Sequence, residues 1–202
     1  ALGSNSIALG RGAFAMEDNS FGIGSYSYAN KMNSMAIGTS SRALAQNAIT
    51  LGAGSVTMTD AKSSTVIGTK SAVAGENSSL VGSNSQIFGT NTLVFGNNTN
   101  LYKSGTGSSD NNMALGNSIT VGSGTNNSMA YGSNIEIGKK TKDDNKVSDV
   151  IAIGNNTYIG AGVSSSMAYG SGATIGSKNN DNNNITNSAA FGLGASVTRE
   201  YN

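Results

Sequence analysis

The residues of this chain that could do acid–base or ligand chemistry are few, and their densest gathering is one late stretch. Between residues 139 and 149, Lys139, Lys140, Lys142 and Lys146 alternate with Asp143, Asp144 and Asp149. Two similar polar stretches, residues 103–112 and 177–187, carry Lys103 with Asp110 and Lys178 with Asp181. Ammonium and carboxylate groups mixed in this way are either a binding surface for a polar partner or a solvated charge run. A calcium cage would need several oxygens at a spacing such as Asp-x-Asp-x-Asp-Gly, which none of the stretches has. The adjacent carboxylates Glu17-Asp18 and Asp143-Asp144 lie in turn-like surroundings, with no sign of burial to shift a pKa. Histidine is missing altogether, which removes the commonest general base and the commonest transition-metal ligand together. Gly-x-Gly pairs such as Gly10/Gly12 and Gly192/Gly194 never extend to a dinucleotide fingerprint. The expectation is therefore no enzyme, no catalytic residue, no cofactor and no metal site.

Composition narrows the partners. Twelve basic and eleven acidic residues leave a net charge of +1, so there is no electrostatic case for nucleic acid or an anionic membrane. No apolar run approaches the 18 or so residues needed to span a bilayer. Cysteine is absent, so a stack of repeats or an oligomer must do the stapling that disulfides give many small secreted domains. The Gly-, Ser- and Asn-rich composition leans toward disorder. The register of its small and apolar residues argues the other way.

Those residues belong to a repeat that must position any site. Gly10, Gly24, Gly38, Gly52, Gly68, Gly82, Gly96, Gly116, Gly132, Gly154, Gly170 and Gly192 each close a short apolar run. The gaps between them are 14, 14, 14, 16, 14, 14, 20, 16, 22, 16 and 22 residues. Units this short cannot fold alone and must stack. Before each glycine lies a four-residue strand such as Ser34-Met35-Ala36-Ile37 or Ser166-Met167-Ala168-Tyr169. Alternation puts Ser and Ala on one face and the larger apolar residues on the other. A second short strand follows, with small or apolar residues three and five positions after the glycine, as in Ser71/Val73 and Ile119/Val121; the fifth is apolar except at Thr57. The reading is a parallel solenoid of about twelve two-strand coils, all-β, with glycine and asparagine in the turns. Its thin interior holds one face only. The other would leave an apolar strip larger than a soluble monomer carries, to be buried against further copies of the chain. The residues do not say which face is which.

The repeat resembles that of the YadA-like head domain of trimeric autotransporter adhesins. The family pattern Asn-Ser-Val-Ala-Ile-Gly, followed by spaced Ser, Ala and Gly, is met by Asn5-Ser6-Ile7-Ala8-Leu9-Gly10. It is met again by Asn33-Ser34-Met35-Ala36-Ile37-Gly38 with Ser41 and Ala43, and by Ser71, Gly75 and Ser78. The resemblance covers about residues 1–197. It implies a left-handed parallel β-roll, a homotrimer, and display on the outer surface of a Gram-negative bacterium through an anchor outside this stretch. It also implies attachment to a host extracellular-matrix protein or a cell-surface receptor, an immunoglobulin-like one included. Residues 198–202 then begin the connection to a neck and stalk. The later units depart from the pattern: they carry insertions and replace the small Ser/Ala pair by Ile-x-Val or Ile-x-Ile, so the roll is expected to widen there.

All the extra residues fall after the second strand, where stacking would cluster them on one side. Insertions in repeat proteins often mark the binding face. The candidate binding residues are accordingly Lys103, Asp110, Lys139, Lys140, Lys142, Asp143, Asp144, Lys146, Lys178 and Asp181. Phe14, Tyr26, Tyr28, Phe88 and Tyr102, on or near second strands, are further candidates for a receptor-facing patch. The other reading of the fold is structural: a rigid spacer or self-association module, with host binding elsewhere in the parent chain.

Overall fold

A computed structural model describes residues 1–102, 109–138, 145–178 and 183–198. The chain is an all-β parallel β-solenoid of about ten turns, with no helix among the described residues. It divides into two compact units, Ala1–Phe95 and Gly96–Asn202.

In the first unit each coil contributes one strand to each of two parallel sheets. The first sheet runs from Ile7–Leu9 through Phe21–Ile23 and Met35–Ile37 to Leu93–Phe95, and the second from Phe14–Ala15 through Tyr28–Ala29 to Gln86–Ile87. Equivalent residues pair across coils, Ala36 with Gly22 on one side and Thr50 on the other. This register settles which face is inside. Ala36, Ala43, Ala45 and Ala48 are buried, as are Val66, Val73, Leu80 and Ile87 further along, while Ile7, Leu9, Ile49 and Ile67 face solvent. The small residues point inward because two facing sheets this short enclose only a thin interior.

Thr57, the polar exception, lies inside with Thr50; their hydroxyls meet at 3.0 Å, and Thr50 Oγ1 also donates to the Arg42 carbonyl at 3.2 Å, so both are satisfied. Buried serines link coils similarly. Ser78 Oγ accepts from the Thr92 N–H at 3.1 Å and donates to the Gly89 carbonyl at 3.0 Å. Before each first-sheet strand sits a residue with positive φ, usually Asn. These amides also pair between coils: Asn19 Nδ2 donates to Asn33 Oδ1 at 3.2 Å, and Asn33 Nδ2 to Asn47 Oδ1 at 3.0 Å. The anchor glycines stack closely. At Gly52, with φ 134°, an added Cβ would lie 1.7 Å from the Gly68 carbonyl oxygen, so no side chain fits there.

The second unit keeps the first sheet, from Met113–Asn117 through Met129–Ser133 and Ile151–Asn155 to Ala189–Phe191, and a second from Asn100–Leu101 to Ser196–Val197. It adds a third, four-stranded sheet of Thr125–Asn126, Val147–Ser148, Val163–Ser164 and Ile185–Thr186. The expectation of two-strand coils throughout is thus corrected. Inward pairs Ile119/Val121 and Ile135/Ile137 need more depth than Ser85/Ile87, and Val147, Val163 and Ile185 supply apolar partners from the third wall. The end portions of the stretches 139–149 and 177–187 therefore belong to strands. Residues 109–112, likewise expected as loop, run beside that sheet: Asn127 donates its N–H to the Asp110 carbonyl at 3.1 Å.

Candidate functional site

Two surfaces and one cleft are assembled from these coils. The first surface is the outer side of the first sheet. Strand alternation sends two residues per strand outward, and parallel register stacks them in rows. In the first unit one row runs Ile7, Phe21, Met35 and Ile49 and then the polar Thr65 and Ser79, and the other holds Leu9, Ile23, Ile37, Leu51 and Ile67. In the second unit the rows are Met113, Met129, Ile151 and Met167, and Leu115, Tyr131, Ile153, Tyr169 and Phe191. The Tyr169 and Phe191 rings stack at 4.6 Å with an 8° interplanar angle. Beside the methionine row lie two hollows of about 580 and 380 Å³, meeting at Ile151, with Asp149, Asn127 and Asn187 on their rims. Backbone amides here are used within the sheet, so what this face offers a partner is apolar area and shape.

The second surface is where the insertions are rooted. Asn145, buried, donates its backbone N–H (2.9 Å) and its Nδ2 (2.6 Å) to the Ser123 carbonyl. Asn183, also buried, does the same to Ala161 at 2.9 and 2.8 Å, and its Oδ1 accepts from the Ser177 N–H at 2.7 Å. Gly162 donates its N–H to the Asn145 carbonyl at 2.7 Å, so the coils at the bases of stretches 139–149 and 177–187 are joined in one ladder. Space is tight: a Cβ on Gly138 or Gly176 would come within 2.8 Å of the Asn145 or Asn183 amide carbon. Neither asparagine was a candidate. Their signal is the repeated spacing Gly138-x6-Asn145 and Gly176-x6-Asn183, each asparagine followed two residues later by a buried β-branched residue, Val147 or Ile185.

Of the candidate binding residues, Lys103, Lys139, Lys140, Lys142, Asp143, Asp144 and Asp181 lie outside the described residues. Asp110 is half-buried, and its N–H donates to Asn126 Oδ1 at 2.8 Å. Lys146 is exposed with φ 49°, between Asn145 and Val147. Lys178 does enter a defined cluster. Its Nζ lies 3.6 Å from Glu136 Oε2 and 5.0 Å from the centre of the buried Tyr158 ring, bordering a cleft of about 280 Å³ with Ser118, Thr120, Asn134 and Asn156. The aromatic candidates divide. Phe14, Tyr26 and Tyr28 come together in the first unit, with Phe14 and Tyr28 edge-to-face at 5.9 Å and Arg11 5.8 Å from the Tyr26 ring. Phe88 and Tyr102 are half-buried beside the inward Ile87 and Leu101.

The carboxylate pair Glu17-Asp18 gains no catalytic character. Lys31 Nζ hydrogen-bonds Glu17 at 2.9 Å and holds its carboxyl below the ordinary range, against a small opposing effect of desolvation, with the Met32 N–H (3.0 Å) adding to the lowering. A carboxyl held ionised is no general acid at neutral pH. No group of acidic residues suited to a metal occurs among the described residues. No helix among them is long and apolar enough to cross a membrane. Fold and surfaces together define a repeat-built parallel β-solenoid whose outward first-sheet rows are mainly apolar, with Thr65 and Ser79 as polar interruptions. No protein-family model and no curated protein matches the chain.

Proposed function

We propose that this chain is the head of a trimeric surface adhesin, a non-enzymatic module that attaches a Gram-negative bacterium to a host extracellular-matrix protein or cell-surface receptor. In this reading each anchor glycine marks one of twelve coils of a left-handed β-roll spanning residues 1–197, and residues 198–202 lead toward a stalk and outer-membrane anchor. The observation that carries it is the outward apolar rows of the first sheet. A monomer would expose far more contiguous apolar surface in either unit than soluble proteins tolerate. A self-complementary partner with the same periodicity is a second copy of the chain, and three copies closing around the rows would cover each strip on both flanks. Threefold display then multiplies individually weak contacts into avidity.

The same rows equally suit a spacer or self-association module, so two measurements are needed. Light scattering should give about three times the 20.3 kDa chain mass; a stable, folded monomer would sink the proposal. The trimer is then titrated against matrix proteins and host receptor ectodomains. Saturable, competable binding to one supports the adhesin reading, and a folded trimer that binds none leaves the spacer.

A further inference from the structure

Charge in the first unit is sorted by edge. The acidic residues Glu17, Asp18, Asp60 and Glu76 all lie in the turns leading from the second sheet back to the first. Lys31 and Lys62 share that edge and pair there, with Glu17 at 2.9 Å and Glu76 at 3.5 Å. The opposite turns, and the outward side of the second sheet, contain no acid at all. They carry Arg11, Arg42 and Lys70, which make no ion pair among the described residues. Between the arginines stand Phe14, Tyr26 and Tyr28, with Phe14 and Tyr26 more than half exposed at 51% and 54%. Phe14, Tyr28 and Arg42 occupy consecutive rungs of one register.

We infer that this face binds an acidic polysaccharide, one bearing sulfate or carboxylate groups. The inference rests on the adhesion reading for its biological sense, and on this geometry alone for its chemistry. Arg11, Arg42 and Lys70 belong to the first, third and fifth coils, so successive cations differ by about 9.6 Å in height along the stack, with Arg11 and Lys70 in the turn and Arg42 on the strand beside it. That is the scale of a disaccharide, the unit over which such polymers repeat their charge. A nucleic-acid strand presents a phosphate about every 3.4 Å of helix axis, a period these cations do not match. Exposed aromatic rings give the apolar faces of pyranose rings a place to stack. An extended acidic peptide would have no comparable use for them. The guanidinium held over Tyr26 keeps a bidentate donor beside that ring. The outward rows of the first sheet are on the opposite wall of the same coils, so self-association there leaves this face open.

The test titrates the purified chain with a heparin octasaccharide, a hyaluronan oligosaccharide, neutral dextran, poly-glutamate and a single-stranded DNA of matched charge, each at two salt concentrations. Saturable heparin binding is expected, weakened by salt, with dextran silent. The R11Q/R42Q/K70Q variant should weaken it by about tenfold or more, as expected when exposed charges steer and hold a polyanion. F14S/Y26S should weaken it about threefold, because stacking area is lost. K31Q/K62Q, on the other edge, should leave it unchanged. All these side chains are solvent-accessible, and an unaltered β circular-dichroism spectrum confirms folding. The inference is overturned if the folded chain fails to bind heparin, if the triple variant binds as well as the parent, or if DNA or poly-glutamate binds as tightly. It is equally overturned if the aromatic variant loses nothing. A chain that binds host protein but no acidic glycan defeats this inference alone. One that binds glycan but no host protein defeats the protein-receptor reading and leaves the glycan site standing.

Discussion

The two units solve one packing problem differently. In the first, a large inward residue on the second sheet is preceded by a small one, Ser71 before Val73 and Ser85 before Ile87, and two walls suffice. In the second, Ile119 stands with Val121 and Ile135 with Ile137, and a third wall appears. Buried side-chain amides follow the same division. The first unit buries short hydroxyls that reach the next coil directly, such as Ser78 and the Thr50/Thr57 pair. The second buries the longer amides of Asn145 and Asn183, each spanning to a carbonyl one coil away. A bulky inward pair thus goes with a third wall at Ile119/Val121 and Ile135/Ile137, although the coils of Thr157/Ile159 and Ala173/Ile175 have that wall too. Only the second unit adds buried amides to the hydroxyls that bridge coils.

The largest expected effect would erase the difference, because the glycine column is common to both units. Gly52→Ala and Gly132→Ala place a Cβ 1.7 and 1.9 Å from the next coil's carbonyl oxygen, and each should cost more than about 4 kcal/mol. Gly192→Ala meets nothing within 4 Å and should cost only the backbone strain, about 1–3 kcal/mol. Equal costs at all three would show that the close stacking is not what requires glycine. Next, Ile159→Ala should cost about 2–5 kcal/mol, with faster amide exchange confined to the second unit; uniform loss across the chain would mean that the units do not respond separately.

In the first unit, Thr50→Val strands the buried Thr57 hydroxyl and should cost about 1–3 kcal/mol, whereas Thr57→Val leaves Thr50 its bond to the Arg42 carbonyl and should cost less. The double variant should return to within about 1 kcal/mol of the parent, a coupling that a thermodynamic cycle measures directly. Additive losses would refute the paired-hydroxyl account.

The smallest effect concerns Glu17. Its carboxyl is held below its ordinary value of 4.5 in the folded chain, so the Lys31 contact stabilises above that pH and is lost as pH falls through the lower folded value. Because the pair is exposed the effect is small and salt-sensitive. Glu17→Gln should flatten the acid limb of the stability curve slightly, and an unaltered limb would show that the contact contributes nothing.

Much of this architecture could be read from the residues themselves. The spacing of Gly10 through Gly192 marks the coils, and the period-2 separation of Ser34 and Ala36 from Met35 and Ile37 divides the two faces. Which face turns inward was not readable, since a sheet alternates identically either way; only the gap between two facing walls decides for alanine. The third sheet was hidden because Val147-Ser148 and Ile185-Thr186 are too short to give a periodic signal and follow charged or amide-rich runs. Asn145 and Asn183 were hidden for a related reason: among so many surface asparagines, a buried one differs by position alone. Phe14, Tyr26 and Tyr28 were candidates from the sequence, but the cations beside them escaped because Arg11, Arg42 and Lys70 are far apart in the chain and share one side only when coils stack.

The column of positive-φ turns bears on how such a chain can change over generations. Its positions accept Asn, Ser and Asp, as Asn33, Ser63 and Asp149 show, and the positive-φ positions of the opposite turn accept Tyr, Ser and Lys, as Tyr26, Ser40 and Lys70 show. Every coil presents its neighbour with the same backbone pattern, whichever of these it carries. A stretch of gene encoding one coil could therefore be duplicated or lost by slippage without moving any other side chain to a new face. Length and surface chemistry become separately heritable, the one by copying coils and the other by point substitution at their turns.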